Sequence, residues 1–388
     1  MTKNLPKSDE PWVLQLHLMS KLTILHTESS MGWGGQEMRI LKEALGMKER
    51  GHRVLLAVEM GAKLFNKAVE AGVEAFEVPF SKWRPFKAIR ALSRIIDQYQ
   101  VSIINTHSSL DAWIGGVTSR IKGKPVIRTR HLSTAIQPGL NSRLLYQSLA
   151  DYVVTTSSCI IPMICKQAKI DPYFCRCIPT GVNPEDMKVQ GLDREMFRRQ
   201  LGLSEEDFIA GTVCVVRSWK GVEDLIRAAA YLKEEKHLKW VVVGGGYLDQ
   251  YRRLVEQIGL EKTVLFTGHL ENPFPALAAM DLFLLLSTKN EGISQASLQA
   301  AFLNKPLITT SVGGLPEVCI EGTTGFVVPP SSPQRVANAV LQIKNNEPLR
   351  LRFGQNGHEL VMEKFTHRGM LDEMESIYDE ISLRGRGC

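Results

Sequence analysis

Short apolar runs alternate along this chain with longer stretches in which apolar positions recur every three or four residues. The runs at 21–26, 54–58, 73–78, 101–106, 125–130 and 152–155 read as strands in the first half. Between them, 36–50, 65–71, 81–100, 111–121 and 141–149 carry helical spacing, for example Met38, Leu41 and Leu45 ahead of the stop at Gly51. A Pro- and Gly-punctuated turn at 179–184 marks the best boundary. A second series follows, with strands at 209–216, 240–243, 264–267, 282–286, 306–310 and 325–328. Its helices are expected at 222–231, 248–258, 274–280, 294–303, after Gly313 and Gly314, and at 332–345, 348–364 and 368–381. Runs such as Leu282-Phe-Leu-Leu-Leu286 lack polar interruption, the mark of strands buried on both faces of a parallel sheet. The pattern predicts an α/β protein of two doubly wound parallel-sheet domains facing a cleft. The bounds are 20–182 and 183–365, with 366–388 as a last helix and 1–19 as a loose arm.

Composition adds little until charge is divided along the chain. At 388 residues, 44% hydrophobic and 23% charged, the chain is an ordinary globular one with room for two cores. No run approaches the ~20 apolar residues that cross a bilayer. Residues 11–19 (PWVLQLHLM) are apolar but lack a following small-residue cleavage site, so they are not read as a signal peptide. Seven scattered cysteines without metal-ligand spacing suggest reduced, buried thiols of a cytosolic protein. Residues 1–180 hold 24 Lys and Arg against 14 Asp and Glu, and the remainder 23 against 27. The first half is therefore basic, which suits a partner with negative charge.

Candidate chemistry collects where strands end and helices begin. Glu291-Gly292-Ile293-Ser294 places a carboxylate at a strand's end, with amides that could hold a diphosphate; the plainer alternative is an ordinary helix-start acid. Arg217 and Lys220, beside Gly221, offer a guanidinium fork and a point charge at the same sheet edge. Gly34-Gly35 and the loop Gly244-Gly245-Gly246 are glycine turns after strands, without the spacing of a nicotinamide site. His107 ends an apolar strand, and its structural and functional readings stand even. Arg128, Arg130 and His131 form a cationic cluster that either meets an anionic substrate or is solvated. Between Lys82 and Ile96, Trp83, Phe86, Ile89, Leu92 and Ile96 fall at helical spacing among Lys87, Arg90 and Arg94. A crossover helix packing its apolar side on the sheet is the preferred reading. The sharper one adds contact of Lys82–Arg94 with an anionic membrane surface. No Asp-x-Asp, HExxH, P-loop or GxSxG occurs, so fixed cations and helix ends must do the electrostatic work. The basic residues are not interleaved with aromatics at stacking spacing, which disfavours nucleic acid.

Together these residues resemble the family-4 retaining glycosyltransferases of GT-B architecture, from about Leu22 to Ile381. The most specific part is Glu291-Gly292-x(6)-Gln299-Ala300, followed by Lys305-Pro306-x(5)-Val312-Gly313-Gly314-x-Pro316-Glu317. The resemblance implies that the second domain binds a nucleotide-diphosphate sugar and the first binds the acceptor, with the last helix crossing back. Arg217, Lys220 and the amides of Gly292, Ile293 and Ser294 would then hold the diphosphate. Glu291 would bind sugar hydroxyls, and His107 would lie near the reacting sugar. Gly245 would belong to the donor loop, and His269 with Leu270 would touch the base. Gln299 stands where many members have a second acid, so its bonds to a ribose diol would carry no charge. The implied activity is retaining transfer, without metal or other cofactor, from a UDP- or GDP-linked sugar. The implied acceptor is a cell-envelope one, such as a lipopolysaccharide core or a lipid-linked glycan. The protein would work in the cytoplasm or at the inner face of the plasma membrane. Two alternatives remain open: a nucleotide-sugar epimerase on the same plan, and a non-catalytic module binding nucleotide sugars or anionic surfaces.

Overall fold

The apolar runs become strands whose side chains are buried on both faces. In the computed structural model, which describes residues 21–131, 133–188 and 191–384, Ile24, Leu25, Leu55, Leu56 and Ile103 are fully buried, as are Leu282, Phe283 and Leu284. Among these residues the first domain forms a seven-stranded sheet. Its strands are β1 (Thr23–Glu28), β2 (Arg53–Glu59), β3 (Glu74–Val78), β4 (Ile103–Thr106), β5 (Val126–Arg130), β6 (Tyr152–Thr155) and β7 (Cys175–Cys177). They lie in the order β3-β2-β1-β4-β5-β6-β7. The second domain has six: β8 (Phe208–Val213), β9 (Leu238–Val243), β10 (Val264–Gly268), β11 (Leu282–Leu285), β12 (Leu307–Thr310) and β13 (Gly325–Val328). Their order is β10-β9-β8-β11-β12-β13, and every pairing in both sheets is parallel. The strand order reverses at β1 and at β8, the positions where parallel sheets open a crevice at their C-terminal ends.

The crossovers of the first domain are α1 (Gly35–Glu49), α2 (Lys63–Glu70), α3 (Pro85–Gln98), α4 (Ser109–Lys122), α5 (Leu140–Arg143) and α6 (Ile160–Ala168). Those of the second are α7 (Gly191–Gln200), α8 (Val222–Tyr231), α9 (Asp249–Ile258), α10 (Phe274–Ala279), α11 (Gln295–Phe302), α12 (Pro333–Lys344) and α13 (Glu347–Lys364). The last helix, α14 (His367–Arg384), packs on the first domain. Its Met370, Leu371, Met374, Ile377, Tyr378 and Ile381 share one apolar cluster with Leu22, Ile40 and Met47. The outgoing and returning chains run side by side, with the Val182 amide bonded to Phe365 O at 2.9 Å and the His367 amide to Val182 O at 2.8 Å.

Several expectations need correction. The helix foreseen after Gly313 is a single 3-10 turn, Leu315–Glu317, because 318–324 turns back within a few residues, through left-handed Gly322 (φ 68), into β13. The helix foreseen at 141–149 splits into α5 and a π-turn, Leu144–Ser148. Strand β7 and helices α6 and α7 have no counterpart in the pattern reading; β7 spans only a mixed Cys-Arg-Cys run. Trp83 and Phe86 do not pack on the sheet: they are 93% and 81% exposed, and α3 buries Ala88, Leu92, Ile95 and Ile96 instead. Six cysteines lie among the described residues, all free; only Cys319 is fully buried, and Cys159 is exposed. The expected arm at 1–19 and Cys388 lie outside the described residues.

Candidate active site

The second domain's rim is built where β8 and β11 end side by side. Gly221 leads into α8 with φ 70, and an added Cβ would sit 2.0 Å from Leu286 O, so only glycine lets the loop lie against β11. That turn delivers Lys220, whose Nζ lies 2.5 Å from Glu291 Oε1. Ser287 Oγ donates to the same oxygen at 2.6 Å. Glu291 and Ser287 are buried, so this is a nearly dry carboxylate whose Oε1 takes both a hydroxyl and the one cation beside it. Ser294 caps α11 through its hydroxyl, which accepts from the Ser297 amide at 3.3 Å. The Ile293 and Ser294 amides have no acceptor among the described residues and sit at the positive end of α11.

The other expected donor residues spread around this pair. Arg217 lies 5.3 Å over the ring of Tyr247, the residue that follows the Gly244–Gly246 loop, and no ion pair joins it to Glu291 among the described residues. His269 is exposed beside Gly245, and Leu270 packs into the second domain's core. Gln299 lines a small separate cavity of about 30 Å³ with Lys42, Thr180, Gln295 and His367.

The first domain answers with a cavity of about 440 Å³ at the ends of β4 and β5. Gln36, His107, Arg128, Arg130, His131 and Tyr146 are in its wall. Gly34 and Gly35 open α1 just before Gln36, and a Cβ on Gly35 would meet nothing within 4 Å. The three histidines form a chain: His26 Nδ1 is 2.9 Å from His107 Nε2, and His107 Nδ1 is 3.0 Å from His131 Nε2. Burial lowers the affinity of all three imidazoles for a proton, most strongly at His107 and His131, where nearby cationic groups add to it. His107 is therefore neutral, and both its ring nitrogens are already engaged.

Beside this chain lies an acidic pair. Glu28 accepts from Gln36 Nε2 at 2.5 Å, from the Ser30 amide at 2.7 Å and from Ser108 Oγ. Asp111 accepts from Thr27 and Ser29 hydroxyls and from the His107 and Ser108 amides. Burial, and then the charge of Asp111, push Glu28 up to about 8, while burial pushes Asp111 up to about 6.

The two rims touch. A Cβ on Gly292 would lie 2.6 Å from His131 O and 3.0 Å from Thr156 Oγ1. Glu317 accepts from Ser157 Oγ at 2.5 Å and from the Ser158 amide at 3.0 Å, and Thr134 Oγ1 donates to Asn290 at 3.3 Å. Glu291, Lys220, His131 and the cavity thus stand on one cleft. Pattern reading missed His26, Glu28, Asp111, Tyr146 and the cross-domain partners of Glu317. The signal for some of them is present in the sequence: β1, β4 and β5 each turn polar at the C-terminal end, as His26-Thr-Glu28, Asn105-Thr-His107 and Arg128-Thr-Arg130-His131.

Residues 33–186 match the family model described as Glycosyltransferase Family 4, and residues 193–360 the one described as Glycosyl transferases group 1. N-acetyl-alpha-D-glucosaminyl L-malate synthase of Bacillus anthracis is 32% identical over 190 residues, covering 49% of this chain and 50% of that protein. The match thus spans half of that relative's length. D-inositol 3-phosphate glycosyltransferase of Corynebacterium aurimucosum is 24% identical over 315 residues, covering 74% of this chain and 73% of that protein. The solved structure of Anabaena Alr3699/HepE in complex with UDP is similar at a TM-score of 0.84 and 19% identity, covering 92% of this chain and 100% of that one. At that identity the likeness is one of fold.

Proposed function

Given that the chain belongs to the group 1, family 4 glycosyltransferases, we propose that it moves a sugar from a UDP- or GDP-linked donor to a cell-envelope acceptor, with retention of anomeric configuration. The observation that carries this reading is the Lys220–Glu291–Ser287 set, with its acid and hydroxyl buried, standing across a cleft from the first domain's cavity. In it, Lys220 and the amides of Ile293 and Ser294 take the negative charge of the departing diphosphate. No metal is called on for that task. Glu291, held by Ser287 and Lys220, accepts from hydroxyls of the donor sugar. The acceptor attacks from the face the diphosphate leaves, and a departing phosphate oxygen takes its proton. Arg217, Gly245, His269 and Leu270 would frame the nucleotide, while Gln299 stands apart in its own small cavity. The donor is supported by the Anabaena protein, whose solved structure holds UDP.

The two relatives are named for different acceptors, L-malate and D-inositol 3-phosphate, so the acceptor must be read from this chain's own cavity. No helix among the described residues is long and apolar enough to cross a membrane. Exposed Trp83 and Phe86, set among Lys82, Arg84, Lys87, Arg90 and Arg94, suit a peripheral place on an anionic cytoplasmic leaflet and a glycolipid acceptor such as a lipopolysaccharide core.

Thermal shift across UDP-, GDP- and ADP-linked sugars identifies the donor, since a ligand bound to the folded state raises its midpoint. Lys220→Ala and Glu291→Gln are expected to lower transfer by about 100-fold. Folded variants that transfer at the wild-type rate would overturn the assignment. Isomerised sugar without released nucleoside diphosphate would mark an epimerase instead.

A further inference from the structure

Three arginines are fully buried among the described residues: Arg39, Arg128 and Arg198. Two of them have carboxylates in reach. Arg39 is 3.7 Å from Glu43, and Arg198 is 3.8 Å from Asp281. Arg128 has none. It donates to Ser108 O at 3.0 Å and lies 4.9 Å over the Tyr146 ring, and its buried Nε has no partner. Its strand neighbour Arg130 repeats the arrangement: one nitrogen reaches Tyr146 Oη at 3.2 Å, another the Thr134 carbonyl, and Nε is again buried and unpartnered.

Both arginines line the 440 Å³ cavity. Of the nearest acids, Asp111 feels the charge of Arg128 but forms no direct ion pair with it. Asp111 spends its oxygens on Thr27, Ser29 and two amides, and Glu28 on Ser30, Gln36 and Ser108. The histidines alongside are neutral. Two largely buried guanidiniums facing one carboxylate without a direct ion pair remain short of counter-charge, which is unfavourable unless something else supplies it. Two guanidinium forks in a ligand-sized cavity match the oxygens of a phosphate or carboxylate.

We propose that this cavity is an anion-recognising acceptor subsite, in which Arg128 and Arg130 hold a phosphate or carboxylate of the acceptor and leave its hydroxyl turned to the cleft. The word acceptor rests on the transferase reading; the anion does not. Arg128 is the more deeply buried of the two, and Arg130 is partly exposed. His131 and Thr134, which touch Gly292 and Asn290 across the cleft, place the cavity beside the donor rim.

The test is calorimetric titration of the full chain, loaded with its UDP- or GDP-sugar, against L-malate and glycerol 3-phosphate, with glycerol and myo-inositol as neutral counterparts. The anions are expected to bind and the neutral polyols not. Arg130→Gln is expected to weaken anion binding by about 10- to 100-fold, and Arg130→Lys by less. A retained donor-induced thermal shift shows that each variant is folded. A parallel arm uses vesicles containing phosphatidic acid. Binding seen only there, and lost in Arg130→Gln, assigns the anion to a lipid head group; binding of the soluble probes assigns it to a free metabolite. Equal binding of anions and polyols, anion binding indifferent to Arg130, or no anion binding in either arm overturns the subsite. A donor shift that persists in that case leaves the transferase reading intact. Arg130-dependent anion binding without any donor shift would sink the transferase reading and keep the site.

Discussion

At the scale of single residues, the cleft is governed by what burial does to ionisable groups. The Glu28 carboxyl, ordinarily near 4.5, is raised to about 8 by burial and the neighbouring Asp111. Between those values the folded chain keeps a proton that the unfolded chain gives up. The stability this lends is complete below pH 4.5 and is lost as pH rises toward 8. The histidines act in the opposite sense. Burial lowers His26, His107 and His131, so their contribution is present above 6.5 and lost as pH falls below it. Glu28→Gln removes only the first effect. Relative to the wild type its unfolding free energy is expected to rise by on the order of 1 kcal/mol or more between pH 5 and pH 8, followed by denaturant titration at each pH. A difference that stays flat with pH would show that Glu28 is ionised throughout.

At the scale of elements, α14 ties the chain's end to the floor of the first domain. Tyr378 Oη donates to Glu43 at 2.6 Å and accepts from Asn105 at 2.8 Å, all three buried, and His26 meets the Tyr378 ring edge-on at 6.4 Å. The C-terminal helix is thus one contact from the histidine chain. Tyr378→Phe leaves the Glu43 carboxylate buried with its best donor gone. A loss of about 1–3 kcal/mol is expected, read from the denaturation midpoint. Helix spacing made α14 legible, because its apolar positions repeat along an otherwise charged segment. The partner of that stripe was not legible, since nothing local in 368–381 encodes Glu43 or Asn105. The same limit explains Trp83. Helical spacing grouped it with Leu92 and Ile96, but α3 begins only at Pro85, so Trp83 stands before the helix and is left in solvent.

At the scale of the whole molecule, the two rims approach within the space of one missing side chain. Gly292 lies so near His131 O that an added methyl would have to displace the other domain, while its own domain would be undisturbed. Gly292→Ala is therefore expected to leave the thermal midpoint within about 2 °C and to lower transfer by about 100-fold, the scale set by roughly 1 Å of misplacement. Turnover at the wild-type rate would mean that this approach is not part of the working cycle.

The alternation of runs determined the fold class, because strands buried on both faces and amphipathic crossovers are written in nearest-neighbour polarity. It also placed Glu291, Lys220, His107, Arg128 and Arg130 at strand ends, where a parallel sheet must put its chemistry. Pairing was decided elsewhere. That Lys220 meets Glu291, that His107 is held by two other histidines, and that Arg128 and Arg130 lack the carboxylates given to Arg39 and Arg198 follow from sheet order and domain approach. Such contacts join residues far apart along the chain, so local spacing carries no trace of them; only the packed structure brings the groups within hydrogen-bonding reach.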